Sequence, residues 1–342
     1  MGIISLAKSI GNKNLLVALV FTSAVAQVAT AQEAFFTYKG KAYQMSDLPG
    51  SLQQMRFDTD YEHFEKLKRV GDAAVFEMYV DEEVKKSGKT KEKIEEEFSK
   101  SKDPSEAEMK VWYEKNKERI PYPFEQIKDE VKKFLINEKI VEKRTKFIDD
   151  LKKKGNFSLA AKEPIAPLVN LVTDGYPAKG GASAKVQIVE FADYQCPHCK
   201  HMVEPMKKVL AKYKDKIRLV FMDYPINPSG ISLTIAHGAV CADQQKKFWE
   251  FHYMAFDKQS TLSKDSPGQF AKELKLDEAA FTKCLTAPET LAKVAKSKAE
   301  GEKAGITGTP AIFMNGRRAN VGHDEEALTK EIEKALKATS AE

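Results

Sequence analysis

Cysteine is scarce in this chain, with four in 342 residues and none before Cys196. Four is too few for the densely stapled scaffolds of small secreted domains. The late first cysteine leaves no lipid-attachment site near the start. No apolar run beyond about Val28 approaches the length of a membrane helix. Arginine-rich aromatic patches are also missing. The formal charge is +5 with 31% charged residues, but opposite signs interleave as on solvated helix faces, so no nucleic-acid partner is expected.

Length is ample for two domains. Lys8 and Lys13 precede an apolar run from Leu15 to about Val28, and Ala29-Thr30-Ala31 has the small-x-small pattern of a cleavage site. Residues 1–31 are therefore expected to be a secretory signal peptide cut after Ala31, with an uncleaved anchor as the alternative. Export would place the chain where disulfides persist.

The stretch Val186 to Cys199 organises the rest. Val186-Gln187-Ile188-Val189-Glu190-Phe191-Ala192 is apolar and rich in β-branched residues, and reads as a buried strand. It leads into Cys196-Pro197-His198-Cys199. From Lys200 to Lys214 the apolar residues Met202, Val203, Met206, Val209, Leu210 and Tyr213 keep helical spacing. Cys196 thus falls at or beside a helix N-terminus, where free N–H groups and the dipole favour a thiolate. Pro197 suits the first turn, and His198 can add positive charge or a hydrogen bond. Cys199, one turn on, can attack Cys196 and close the ring. The pattern reads as a redox dithiol, with Cys196 as nucleophile and Cys199 as resolving thiol. Half a zinc site and a structural disulfide are the alternatives. Haem attachment needs histidine after the second cysteine, and Lys200 stands there.

These residues, with Gly305-Ile306-Thr307-Gly308-Thr309-Pro310-Ala311-Ile312-Phe313-Met314-Asn315-Gly316 more than 100 residues downstream, resemble the DsbA-like branch of the thioredoxin superfamily, bacterial secreted disulfide oxidoreductases. The resemblance covers 183–340. It implies a thioredoxin fold, periplasmic or secreted location, no cofactor, and a cis Pro310 facing the dithiol. It implies that Glu190, six residues before Cys196, relays a proton to or from Cys199, against the plainer reading of a strand-end carboxylate. It also implies a helical insertion, about 229–300, over the active-site face. Pro-His between the cysteines favours an oxidase, whereas Thr309 matches the isomerase branch. Expected partners are reduced or unfolded exported proteins and a membrane redox partner.

The expected fold class is an α/β thioredoxin fold with an inserted helical subdomain, over 166–342, preceded by a mostly α-helical domain over 33–165. In that first domain, residues 35–43 suggest a hairpin or strand and the remainder is helical. Asp103-Pro104-Ser105-Glu106 reads as a helix start with Asp103 at N-cap, and a long helix is expected from Phe124 to Lys153. Its aromatics and methionines are expected to be core, with a client-binding or self-association surface as the alternative. The segment Pro104–Gly155 resembles the helical chaperone region of SurA-like folding factors. His63 is expected at the surface or in packing. Glu163-Pro164-Ile165-Ala166-Pro167 should be extended.

In the second domain, Lys216–Tyr224 reads as another buried strand. Residues 311–315 and 317–321 read as a hairpin turning at Asn315-Gly316, and Glu325–Lys337 as a closing helix. Cys241 and Cys284 are expected to pair, since free thiols beside an oxidant are a hazard. His201 and Tyr194 should line the site, and His237, His252 and His323 show no partner pattern. The leading expectation is a periplasmic thiol–disulfide oxidase. An oligomeric isomerase or reductase assembled through the first domain, a chaperone, and a copper-handling dithiol are the alternatives.

Overall fold

The computed structural model describes residues 34–117, 120–322 and 325–339. The expected signal peptide and His323 lie outside these. The chain divides into two compact units at Asp47/Leu48. The first contains a hairpin of β1 (Phe36–Tyr38) and β2 (Lys41–Tyr43). It turns at Lys39 and Gly40, both with positive φ.

The second unit opens with α1 (Gly50–Ser87), closed by Gly88 in the left-handed conformation. Helices α2 (Lys91–Ser99), α3 (Glu106–Asn116) and α4 (Phe124–Lys153) follow. The start of α3 differs from expectation. Ser105, not Asp103, is the N-cap, because Ser105 and Glu108 form a reciprocal capping box. Asp103 instead pairs with Lys132 at 2.6 Å. These helices share no single core. Phe76, Val80 and Ile94 form one small cluster with Phe98 and Phe147, and Met109, Phe124 and Val131 form another. Several methionine positions expected in the core are therefore open: Met55 is 63% exposed and Met78 62%. Helices α2 and α4 and, at Gly71, Phe157 and Leu159 pack on α1, and much of its remaining surface is exposed.

A five-stranded sheet follows, from β3 (Ala178–Gly180), β4 (Val186–Ala192), β5 (Ile217–Asp223), β6 (Ala311–Met314) and β7 (Arg317–Ala319). Its order is β3-β5-β4-β6-β7. The β4–β5 pair is parallel and the others antiparallel. Central β4 is buried on both faces, which its near-continuous apolar run requires. Val186 and Ile188 pack with α5 (Pro197–Tyr213) and α11 (Glu325–Ala338), whereas Val189 and Phe191 face Tyr224, Ile306 and Phe313. The β6–β7 hairpin turns at Asn315 and Gly316, both with positive φ.

Between β5 and β6 lie α6 (Ile231–Gln244), α7 (Phe248–Asp257), α8 (Ser266–Glu273), α9 (Glu278–Leu285) and α10 (Pro288–Lys303). Pro267 and Pro288 sit in first turns, where a missing N–H costs nothing. A disulfide joins Cys241 of α6 to Cys284 of α9. This is the thioredoxin fold with an inserted helical subdomain.

The first turns of α1 pack on this second half of the chain. A Cβ at Gly305, whose φ is +77°, would lie 2.9 Å from both Ser51 Cα and Gln54 Cβ. Gly305→Ala is therefore expected to cost about 2–3 kcal/mol, conformational strain plus displacement of α1. Gly88→Ala, at positive φ but with open space around it, should cost only about 1 kcal/mol. Equal melting temperatures for the two variants would contradict the close packing of α1 on the Gly305 turn.

Candidate active site

The hand-over from β4 to α5 places the dithiol. Cys196 is the N-cap of α5 and Pro197 occupies the first turn. Cys199 is fully buried and Cys196 partly exposed, both as free thiols. The register sets the opposite wall. Ala311 of β6 pairs with Phe191 of β4, which brings the preceding Thr309–Pro310 bond, in the cis form, to the carboxyl end of β4. Cys196 Sγ lies 3.2 Å from the Thr309 carbonyl oxygen, to which it donates when it carries its proton.

Electrostatics separate the two sulfurs. The Cys196 thiol is lowered from about 9 to about 5. The leading cause is a hydrogen bond from the Cys199 thiol; the Thr309 side chain and the backbone N–H groups of Cys199 and His198 add to it, against the opposing effect of burial. Cys199 is pushed far up, first by burial and then by its neighbour Cys196. At neutral pH the outer sulfur is thus a thiolate and the inner one a thiol. The exposed His198 enters this balance through its backbone N–H.

Glu190 is buried at 4% exposure and burial raises its carboxyl to about 8. Asp223, paired in register with Ala192, is likewise raised to about 8, chiefly by burial. Tyr194 is buried, with its hydroxyl 3.3 Å from His252 Nδ1. Burial holds His252 down at about 3, hence neutral. His201 and His63 are exposed. Among the described residues no three His, Cys, Asp or Glu side chains gather as a metal site.

Sequence reasoning missed the groups that hold the loop before Cys196. Asp193 accepts from the backbone N–H of Gln195 at 2.7 Å, Ile226 at 2.8 Å and Asn227 at 3.1 Å, and from the Ser232 hydroxyl at 2.5 Å. Gln259 Nε2 donates to the carbonyls of Tyr194 at 2.8 Å and Cys196 at 2.9 Å. An aspartate directly after a buried strand was a legible signal for the first. Nothing local marks Gln259, which reaches the loop from the insertion.

The thioredoxin family model matches residues 173–334. Residues 173–334, a little under half of the chain, are thus similar to thioredoxin. The "Probable disulfide bond formation protein D" of Bacillus anthracis is 29% identical over 56% of this chain and 86% of its own length. The solved structure of oxidised BdbD from Bacillus subtilis is 25% identical and covers 51% of this chain and 100% of its own, with a TM-score of 0.46. A "Na(+)/H(+) antiporter NhaA" of Herminiimonas arsenicoxydans is 25% identical over 55% of this chain. The present chain spans only 29% of that antiporter's length.

The lowered Cys196 pKa links redox state to stability. A folded-state pKa below the unfolded value stabilises fully above the unfolded value, and the gain is lost as pH falls through the folded value. The oxidised protein shares Glu190 and Asp223 but lacks the ionising thiol. The melting temperature of the reduced form minus that of the oxidised form should therefore rise from pH 5 to pH 8. A flat or falling difference would contradict a thiolate at Cys196.

Proposed function

We propose that this protein is an exported thiol–disulfide oxidoreductase whose Cys196–Cys199 pair forms disulfides in reduced secreted proteins. One observation carries the reading: a thiol held at about 5 at a helix N-terminus, backed by a buried thiol and faced by Thr309–Pro310. In the oxidised state a substrate thiolate attacks Cys196 Sγ. The Cys196–Cys199 bond breaks, and the sulfur of Cys199 leaves with the electron pair and takes a proton. A second substrate thiolate then attacks the substrate sulfur of the mixed disulfide and releases Cys196 as a thiolate. Two electrons pass from substrate to protein. A stable thiolate favours the reduced protein and so makes the disulfide an oxidant.

In this reading Pro197 and His198 shape the loop, Thr309 and Pro310 hold the substrate backbone, and Glu190 exchanges the Cys199 proton. The Cys241–Cys284 bond braces the insertion. A membrane redox partner would restore the pair. The second reading, an oligomeric isomerase or a chaperone acting through residues 33–165, is favoured by the apolar side chains that α1, α3 and α4 leave exposed, among them Met55, Val70, Met78, Val111 and Val141.

The deciding experiment oxidises a reduced two-cysteine protein beside refolding of a scrambled one, with mass in solution recorded. Rapid stoichiometric oxidation is expected. Cys196→Ser should fall to background, and Cys199→Ala should accumulate a mixed disulfide at Cys196. Undiminished oxidation by Cys196→Ser sinks the proposal. Efficient unscrambling by an oligomer selects the isomerase, and suppression of aggregation that survives loss of both thiols supports the chaperone.

A further inference from the structure

A second concave site lies away from the dithiol. β6 runs from Ala311, beside Pro310, to Met314, about 10 Å further on. There a groove of about 510 Å³ opens, a volume within the range of small-ligand sites. Its walls are Phe57 and Tyr61 of α1, the strap 163–168, the β6–β7 hairpin and α11. The strap is extended, as its two prolines require. It leaves two large apolar side chains on the rim: Ile165 is 79% exposed and Leu168 67%.

One guanidinium in this groove has a donor atom without a partner among the described residues. Arg318 Nη1 is buried and has no hydrogen-bond partner among the described residues. Its backbone is fixed by pairing with Phe313. The other charges are accounted for differently. Lys334 pairs with Glu163 at 3.0 Å, and Arg317 Nη1 donates to the Ala166 carbonyl. Glu331 also lines the wall. Among the described lining residues three cations face two carboxylates, an excess of one positive charge. A buried donor without a partner is costly, and a carboxylate satisfies a guanidinium better than any neutral group.

The occupant is further limited by the sheet edge. The outer side of β7 is already taken, since Leu168 bridges Arg317 and Val169 N–H donates to the Gly316 carbonyl at 2.8 Å. A polypeptide strand would find no free ladder there. We propose that the groove binds a small amphiphile, an apolar chain ending in a single carboxylate, with the carboxylate on Arg318 and the chain over Phe57, Ile165, Leu168 and Met314. Such a ligand bridges α1, the strap and the sheet, and would brace them together.

The test is calorimetric titration of the full chain with dodecanoate below its micelle concentration, beside dodecanol and dodecyltrimethylammonium. Dodecanoate should bind saturably, one per chain, roughly tenfold or more tighter than either analogue. Arg318→Leu should remove that preference and leave dodecanol binding unchanged. Ile165→Ser, on the exposed rim, should weaken dodecanoate and dodecanol alike. Should Arg318→Leu fail to fold, the comparison of head groups on the unaltered protein and the Ile165→Ser variant still decide. Equal binding of dodecanoate and dodecanol, no saturable binding, or no effect of Ile165→Ser overturns the proposal. Displacement of dodecanoate by an apolar peptide with an amidated C-terminus also overturns it, by moving the site to a polypeptide. None of these readouts depends on the redox activity of Cys196.

Discussion

A sulfur anion at the start of a helix is the constraint on which the rest depends. Cys196 can carry charge because the buried Cys199 thiol and the first-turn N–H groups of Cys199 and His198 donate to it. That arrangement needs Cys199 to stay neutral, so it must be buried, and the same burial makes it a poor thiolate. It also needs the loop before Cys196 to stay in place. Asp193 and Gln259 hold that loop from below and from the insertion. The helical insertion is thus a support for the reactive sulfur as well as a cover.

The opposite wall has its own support. Thr309 and Pro310 follow the turn at Gly305, and that turn is pressed against Ser51 and Gln54 of α1. The long first helix therefore begins on the thioredoxin domain and then leaves it, carrying two small aromatic clusters instead of one core. This explains why its outer faces expose so many apolar side chains. It also ties the position of the helical segment to the segment that faces the dithiol.

Periodicity and punctuation made most of the fold legible. The run 186–192 has a strand's composition, and the structure places β4 at Val186–Ala192. The helix 124–153 and the hairpin at Asn315-Gly316 follow from apolar spacing and from residues that tolerate positive φ. Two kinds of feature were not legible. The capping choice between Asp103 and Ser105 depends on whether Glu108 can reach back, which is a matter of three-dimensional geometry. The exposure of Met55 and Met78 depends on how few helices pack on α1, and a pattern of apolar residues cannot count its partners. At the site, the order Cys-Pro-His-Cys carries its chemistry in the residues themselves. Gln259 and Asp223 do not, because they arrive from distant segments.

The account rests on the charge of Cys196, and alkylation measures it directly. The rate at which iodoacetamide modifies Cys196 in the reduced protein should follow a single titration with a midpoint near pH 5 and be flat through neutrality. A rate still rising through pH 8, as for an ordinary thiol, would contradict the account.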